Sequence, residues 1–506
     1  MKQTLPYSCD SPAHLYVADT ASPNCPILHG IAHRSTPTLR RPARNLVGVR
    51  VSGKMVGMLT RPFSLLFAFL LGFVVSQLYT YWRRLLRQPG LAARLHNPSW
   101  QGDTAVPITN LARLIAEANV RAGIEERHLP DGTRKTILWA GWRNFREPWA
   151  RDFGFASFGL VEMGEQRALK ETLELYLHFQ RADGRFPVKI HSTSVADRYL
   201  HSLFARQQPT HAPLRPKYQT AHHTISLDGN CLLVIAALNY LRRYQDERFA
   251  REHWAALKQA LHWVEDQALQ ADGLLHQGAY TDWADSVIRK GAVHYTNVLY
   301  WKALREFALD AARYGYGEDA VAFEVRAEAL CAAINRHFWD ETQGFFITNR
   351  QFRHILSSDG NLLAVAWRLA TPEQANAILD NMAAFGMADP VPTRCTNRHY
   401  GREHIALENR LGGIAHYHTS AAWLWLGSWH VIAAARAGRL DEAAQLLDQM
   451  GQVIVRDGVV HEVYGEDGRY LKTRWYESEA PLTWSAAMFV YASAFLEGEA
   501  GNQAIG

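Results

Sequence analysis

Carboxylate side chains stand beside aromatic ones at three widely separated places in this chain. The segments are Trp149-Ala150-Arg151-Asp152-Phe153, Tyr280-Thr281-Asp282-Trp283-Ala284-Asp285-Ser286 and His461-Glu462-Val463-Tyr464-Gly465. Two carboxyl groups of unlike protonation can divide the work of breaking a bond to oxygen. One gives its proton to the departing oxygen, and the other, ionised, activates water or attacks carbon. Flat aromatic faces and hydroxyl-binding polar groups around such a pair suit a sugar ring. Plainer readings exist for each residue. Asp285 can cap a following helix, Asp152 can pair with Arg151, and the tryptophans can be core packing. Glu466, Glu477 and Glu479 rival Glu462 within its own stretch.

Residues so far apart meet only if the elements between them bring them to one end of a closed structure. From about residue 105 the apolar spacing is helical almost throughout. Leu169, Leu173, Tyr176 and Leu177 form one stripe, and Trp254, Leu257, Leu261 and Val264 form another. Roughly twelve helices follow from this periodicity, the first near 107–121 and the last near 482–497, with one predicted over 417–437. Short turns between many of them require antiparallel neighbours. An Asp-Gly turn leading into apolar residues recurs at Asp183-Gly184, Asp272-Gly273 and Asp457-Gly458, with a weaker copy from Asp340 to Gly344. The fold class expected is therefore all-α, an (α/α)6 toroid of six helical hairpins over 105–500. Asp285 and Glu462 each lie after one of the repeated turns.

Longer stretches carry a resemblance. DWADSVIRKGAVHYTNVLYWKAL (282–304) resembles the acid-bearing segment of the glycogen-debranching glucosidase family, and also of neutral invertases and the processing α-glucosidase/trehalase group. HEVYGEDGRYLKTRWYESEAPLTWSAAMFVYA (461–492) resembles the C-terminal motif of the same families, and YHTSAAWLWLGSWHVIAAARAGR (417–439) resembles a neutral-invertase segment. WARDFGFASFGL (149–160) and SLDGNCLLVIAALNYL (226–241) are weaker matches. The resemblance implies glycosidic hydrolysis with inversion, Asp285 as general acid and Glu462 as general base, their carboxyls about 6.5–9.5 Å apart. It implies a sugar pocket lined by Trp149, Arg151, Asp152, Asp228, Asp282, Trp283, His418, Trp423 and Trp484. The activity expected is that of an exo-acting α-glucosidase of debranching type. A sucrose hydrolase of neutral-invertase type and a glycan-binding toroid without catalysis are the alternatives. The chain departs from debranching enzymes in lacking a β-rich region before residue 105. In the loop 389–416, Arg394, Arg398 and Arg402 are placed to select among substrates.

Composition narrows the remainder. The 506 residues include 16 Trp and carry a net charge of +5, without a basic stripe on a nucleic-acid reader motif. Cys9, Cys25, Cys231, Cys331 and Cys395 are scattered and odd in number, which fits reduced thiols. His222-His223 and His416-x-His418 lack the carboxylates or thiols of a typical metal set, so neither metal nor cofactor is expected. Residues 1–60 read as disordered, or as a mis-assigned extension if translation starts at Met55 or Met58. The uncharged run Pro62 to Trp82 reads as a transmembrane helix over 61–83, followed by a linker over 84–104. Arg83, Arg84, Arg87 and Arg94 outnumber Lys54 and Arg61, which puts the C-terminal side in the cytoplasm. Without such a span the chain would be a soluble cytoplasmic protein. The partners expected are an oligosaccharide or glucan and, through 61–83, a membrane; oligomeric state is left open.

Overall fold

In a computed structural model of the chain, the described residues are 107–505 apart from 195, 198, 199, 202–206 and 211, with side chains described as far as 501. The expected disordered extension, membrane helix and linker lie outside them. No helix among the described residues is long and apolar enough to cross a membrane.

Burial patterns along the helices set their places. Some helices are buried on every side: α4 (Asp228–Tyr244) through most of its length, α8 (Ser358–Ala366) at every position and α11 (Leu424–Arg436) up to its last residue. Such helices must be enclosed by others. α5 (Glu247–Ala268) and α12 (Leu440–Asp457) instead bury one stripe and expose charged residues opposite. α2 (Ala150–Glu162), α4, α6 (His294–Arg313), α8, α11 and α13 (Thr483–Ile505) pack each on the next, and α13 returns to α2. That closes an inner ring of six. The outer helices are α1 (Ile108–Ala122), α3 (Gln166–His178), α5, α7 (Gly317–Phe338), α9 (Pro372–Ala384) and α12. The N-terminal α1 packs on α12 and α13, so the first helix completes the last hairpin. A short thirteenth helix, α10 (Leu407–Leu411), lies in the long loop before α11. Where α2 meets α13, a Cβ on Gly159 would fall 2.2 Å from the Ala487 carbonyl oxygen, so only glycine permits that crossing.

Among the described residues the twelve helices lie where the periodicity predicts, but three ends differ most: α8 stops at Ala366 where 370 is expected, α13 runs to Ile505 where 497 is expected, and α11 starts late. The stretch 417–422 is irregular, and α11 starts only at Leu424. Ala422 pairs there with Arg394 on one side and Tyr464 on the other, so its backbone is taken up by bridges instead of a helix. Four two-stranded antiparallel hairpins connect helices: β1 (Ile124–His128) with β2 (Arg134–Leu138), β3 (Lys189–His191) with β4 (Arg215–Lys217), β5 (His276–Gln277) with β6 (Gly291–Ala292), and β7 (Trp339–Asp340) with β8 (Phe345–Phe346).

The repeated Asp-Gly turn has a definite partner. Each turn glycine (184, 273, 344 and 458) has positive φ, which side chains other than glycine's resist. The apolar residue that follows donates its N–H to an asparagine on a neighbouring helix. Phe186 donates to Asn230 at 3.1 Å, Leu275 to Asn297 at 2.8 Å, Phe346 to Asn361 at 3.0 Å and Val460 to Asn119 at 2.8 Å. In the inner ring the asparagine amide also donates to carbonyls on both sides, as Asn297 does to Leu275 and Val293 at 3.0 and 2.9 Å. The three inner-ring amides weld their turns to the starts of α4, α6 and α8, and Asn119 ties the fourth turn to the end of the outer α1. Replacing Asn297 with Ala leaves the buried Leu275 N–H unpaired and is expected to lower stability by about 2–4 kcal/mol, read as a lower urea midpoint.

Candidate active site

The loop joining β5 to β6 carries the Asp282 to Asp285 segment, and buried charges hold it. Arg289 donates from Nε to Asp282 at 3.1 Å, and its second terminal nitrogen forms an ion pair with the other Asp282 oxygen at 2.8 Å. Its first terminal nitrogen reaches Asp359 at 2.8 Å. Gln277 and the Ala284 N–H add donors to Asp282, and the Trp283 indole N–H donates to Asp359. Ser286 is fixed by its neighbours: its carbonyl accepts the Ala406 N–H at 2.8 Å and its hydroxyl bonds His418 Nδ1 at 2.8 Å. Asp285 lies between these anchored residues, half-buried, and no described residue bonds its carboxyl. Burial raises its pKa to about 6 from the ordinary 3.8; Arg151 opposes this, while Asp282, Asp228 and Glu462 add to it. The loop continues to Ala292 before α6, so Asp285 caps no helix.

Glu462 is held differently. The Tyr417 hydroxyl donates to Oε1 at 2.6 Å, and the Tyr476 hydroxyl to Oε2 at 2.7 Å. The Glu479 N–H approaches Oε2 at 3.3 Å. Burial raises the Glu462 pKa, and these three donors pull it back. Next to both carboxylates, in the first turn of α2, stands Asp152, likewise without a bond from another residue. Burial pushes it up to about 7; Arg151 lowers it, and Glu462 and Asp285 raise it. Asp152, Asp285 and Glu462 thus share one electrostatic neighbourhood, with Arg151 as its cation.

The other predicted lining residues divide into supports and wall. Asp228 gives both oxygens to Arg151, at 2.6 and 3.2 Å, and takes further bonds from Ser226 and the Gly229 N–H. Asp282 is spent on Arg289, as above. Trp283, His418 and Trp423 form a buried aromatic group, His418 stacked on Trp423 at 5.4 Å and Trp283 edge-on to both. Trp484 lies under it, stacked on Phe155 at 5.3 Å. Burial holds His418 well below the usual histidine range, so it is neutral. Trp149 packs against Phe145 and under the Lys189 ammonium. Among the rival carboxylates, Glu466 is exposed, Glu477 pairs with Arg143 and Lys472, and Glu479 is buried behind Glu462. In the long loop, Arg394 is committed to the Phe385 and Gly386 carbonyls at 2.7 and 2.8 Å, leaving Arg398 and Arg402 exposed. A cavity of about 380 Å³ lies elsewhere, against His191, Ser192, Thr193, Asp197, Pro209 and Arg215, and holds none of the three site carboxylates.

Several residues of the site carried a signal that periodicity does not read. Asp228 and Asp359 occupy the same motif, Ser-x-Asp-Gly-Asn, at 226–230 and 357–361. In both copies the serine bonds the aspartate, the aspartate holds an arginine, and the asparagine clamps the preceding turn. The internal repeat marks Asp359 and points to its partner Arg289. Tyr417 and Tyr476 had no comparable mark.

Residues 188–387 match the profile of the bacterial alpha-L-rhamnosidase six-hairpin glycosidase domain. The chain has the six-hairpin glycosidase fold. Solved structures of this architecture include a rhamnosidase from Klebsiella oxytoca with rhamnose bound, 16% identical, TM-score 0.56, covering 77% of this chain and 64% of that one. A GH78 family rhamnosidase from Bacillus sp. GL1 is 18% identical, TM-score 0.54, over 76% of this chain and 35% of its own. A GH63 mannosylglycerate hydrolase from Thermus thermophilus, in complex with glucose, is 14% identical, TM-score 0.54, over 77% of this chain and all of its own. The chain thus spans just under two thirds of the first rhamnosidase and about a third of the second. A search of curated protein sequences finds no match. The matched domain and these neighbours are glycoside hydrolases.

Two outcomes test the site's electrostatics. Asp359→Ala strands the buried Arg289 guanidinium and should cost about 3–5 kcal/mol in urea unfolding. Asp285, raised in the folded state, contributes stability that is full below its unfolded value and lost as pH rises through about 6. Asp285→Asn is therefore expected to raise the melting temperature at pH 8 and to leave it little changed at pH 4.

Proposed function

We propose that the chain hydrolyses glycosidic bonds with inversion, acting on the terminal sugar of a glycan, with Asp285 as general acid and Glu462 as general base. One contrast carries this reading: Asp285 has no hydrogen-bond donor and is pushed up to about 6, whereas Glu462 receives two tyrosine hydroxyls. A group without donors keeps its proton into the working pH range and can give it to the leaving oxygen. Donors on Glu462 favour its ionised form, which can take a proton from water. The two carboxyls sense each other's charge and share no hydrogen bond, and in this reading the sugar and a water stand between them. Arg151 and Asp152 at the start of α2 would bind hydroxyls. The aromatic group of Trp283, Trp423 and Trp484 would form the pocket floor, with His418 orienting the acid loop through Ser286.

An α-glucoside of debranching type is the first substrate proposed, on the resemblance of 282–304 and 461–492. The profile match over 188–387 contains Asp285 and favours a second reading, an α-L-rhamnoside. A panel of isomaltose, maltose, limit dextrin, trehalose, sucrose, mannosylglycerate and an aryl α-L-rhamnoside separates these readings. Hydrolysis of sucrose in preference to maltose and isomaltose would indicate the invertase alternative, and binding without any release the non-catalytic one.

On the accepted substrate, Asp285→Asn and Glu462→Gln should each lower kcat by about a thousandfold or more, with KM changed far less. Proton NMR of the first product should show the inverted anomer, and retention would sink the water-activating role of Glu462. The kcat/KM profile should be bell-shaped, falling above about pH 6 as Asp285 loses its proton and falling in acid as Glu462 gains one.

A further inference from the structure

Glu479 is a wholly buried carboxylate that the acid–base pair leaves unused. The Arg143 N–H donates to its Oε1 at 2.5 Å. The Asn144 N–H and side-chain amide donate to its Oε2 at 3.0 and 2.9 Å. All three donors belong to the segment that runs from Gly141 into Trp149, Arg151 and Asp152. Gly141 lies so close that a Cβ there would stand 2.5 Å from the Glu479 Cγ. The backbone of Glu479 meanwhile meets Glu462: the Glu462 N–H donates to the Glu479 carbonyl at 2.9 Å, and the Glu479 N–H faces Glu462 Oε2 at 3.3 Å. One residue therefore grips the Arg151–Asp152 segment with its side chain and Glu462 with its main chain. A carboxylate only accepts hydrogen bonds, which suits three N–H groups; a glutamine there would turn an NH2 toward donors.

Glu462 is faced by the Tyr417 and Tyr476 hydroxyls, the Glu479 carboxyl, the Arg143 guanidinium and, across the site, Asp285 and Asp152. The charge on Glu462 makes the Glu479 carboxyl hold its proton more tightly. Burial, with the Glu462 charge adding, pushes Glu479 itself up to about 7.

We propose that Glu479 is a positioning residue for Glu462, setting the base against the Arg151–Asp152 segment through its side-chain and main-chain bonds. This rests on the reading of Glu462 as general base. The test compares wild type with Glu479→Gln on the accepted glycoside, with folding checked by circular dichroism. The expected result is a fall in kcat of about tenfold with KM within about twofold, and partial recovery of kcat in Glu479→Asp, which keeps the carboxyl. Unchanged kcat, or kcat and KM altered together without recovery in Glu479→Asp, would overturn the proposal. A second readout needs no turnover. In protein labelled with carboxyl-13C glutamate, the Glu462 resonance is assigned by its loss in Glu462→Gln, and its chemical shift should move in Glu479→Gln at fixed pH as its hydrogen bonds change; an unmoved resonance would overturn the proposal. If wild type hydrolyses no glycoside, the hydrolase reading fails while this chemical shift still decides the positioning role. If Glu479→Gln does not fold, Asn144→Ala, which removes one donor and keeps both carboxyls, should lower kcat without changing KM; unchanged kcat would overturn the positioning role.

Discussion

A guanidinium enclosed between two carboxylates constrains the site more than any other contact. Arg289, Asp282 and Asp359 are all removed from water. None of them can leave the group without stranding a charge in a medium that solvates it poorly. Asp359 belongs to the inner helix α8, and Asp282 and Arg289 belong to the loop that carries Asp285. The triad thereby ties a loop to the ring, and its two ends fix the residues on either side of Asp285. Arg151 and Asp228 repeat the arrangement between α2 and α4 with one carboxylate fewer. Both aspartates come from the same Ser-x-Asp-Gly-Asn module, whose asparagine holds the neighbouring turn. Scaffold and site are joined within five residues.

With the frame fixed, hydrogen-bond donors separate carboxyls that would otherwise be alike. Asp152, Asp285, Glu462 and Glu479 are all raised by burial. Glu462 receives two hydroxyls and one N–H, Glu479 receives three N–H groups, and Asp285 and Asp152 receive no bond from any other residue. The two without donors remain open to a ligand. The two with donors are fixed in orientation, and only Glu462 belongs to the same electrostatic neighbourhood as Asp285 and Arg151. Division of roles among neighbouring acids thus follows from local wiring.

Much of the ring was legible in the sequence, because a helix enclosed on one side must repeat its apolar residues every three or four positions. The Asp-Gly turns were legible as a module, though not their asparagine partners, which lie a helix away in sequence. Asp228 and Asp282 read as sugar-binding groups, yet their oxygens are engaged by Arg151 and Arg289. An aspartate facing a ligand and one facing an arginine look the same until the partner is placed. The repeat of 226–230 at 357–361 marks Asp228, and Asp282 carries no such mark. Tyr417 and Tyr476 were illegible for another reason: they reach Glu462 from irregular segments, where no periodicity fixes direction. The helix expected over 417–437 started too early because Tyr417 to Ala422 has helical composition but spends its backbone on bridges.

The same loops explain why the sugar is harder to read than the reaction. Residues 404–406 are laced to the acid loop through Ile288 N–H to the His404 carbonyl, the Val287–Ile405 bridge and Ala406 N–H to Ser286. These contacts are backbone to backbone and place no demand on side-chain identity. Arg394, inside the same loop, is held by two carbonyls, whereas Arg398 and Arg402 face solvent. The support of the acid therefore constrains where this loop runs and leaves its exposed side chains free to change. A chain can keep the carboxylate frame of a glycosidase while its substrate preference moves, because chemistry depends on the ion-paired frame and selection on residues that frame does not restrain.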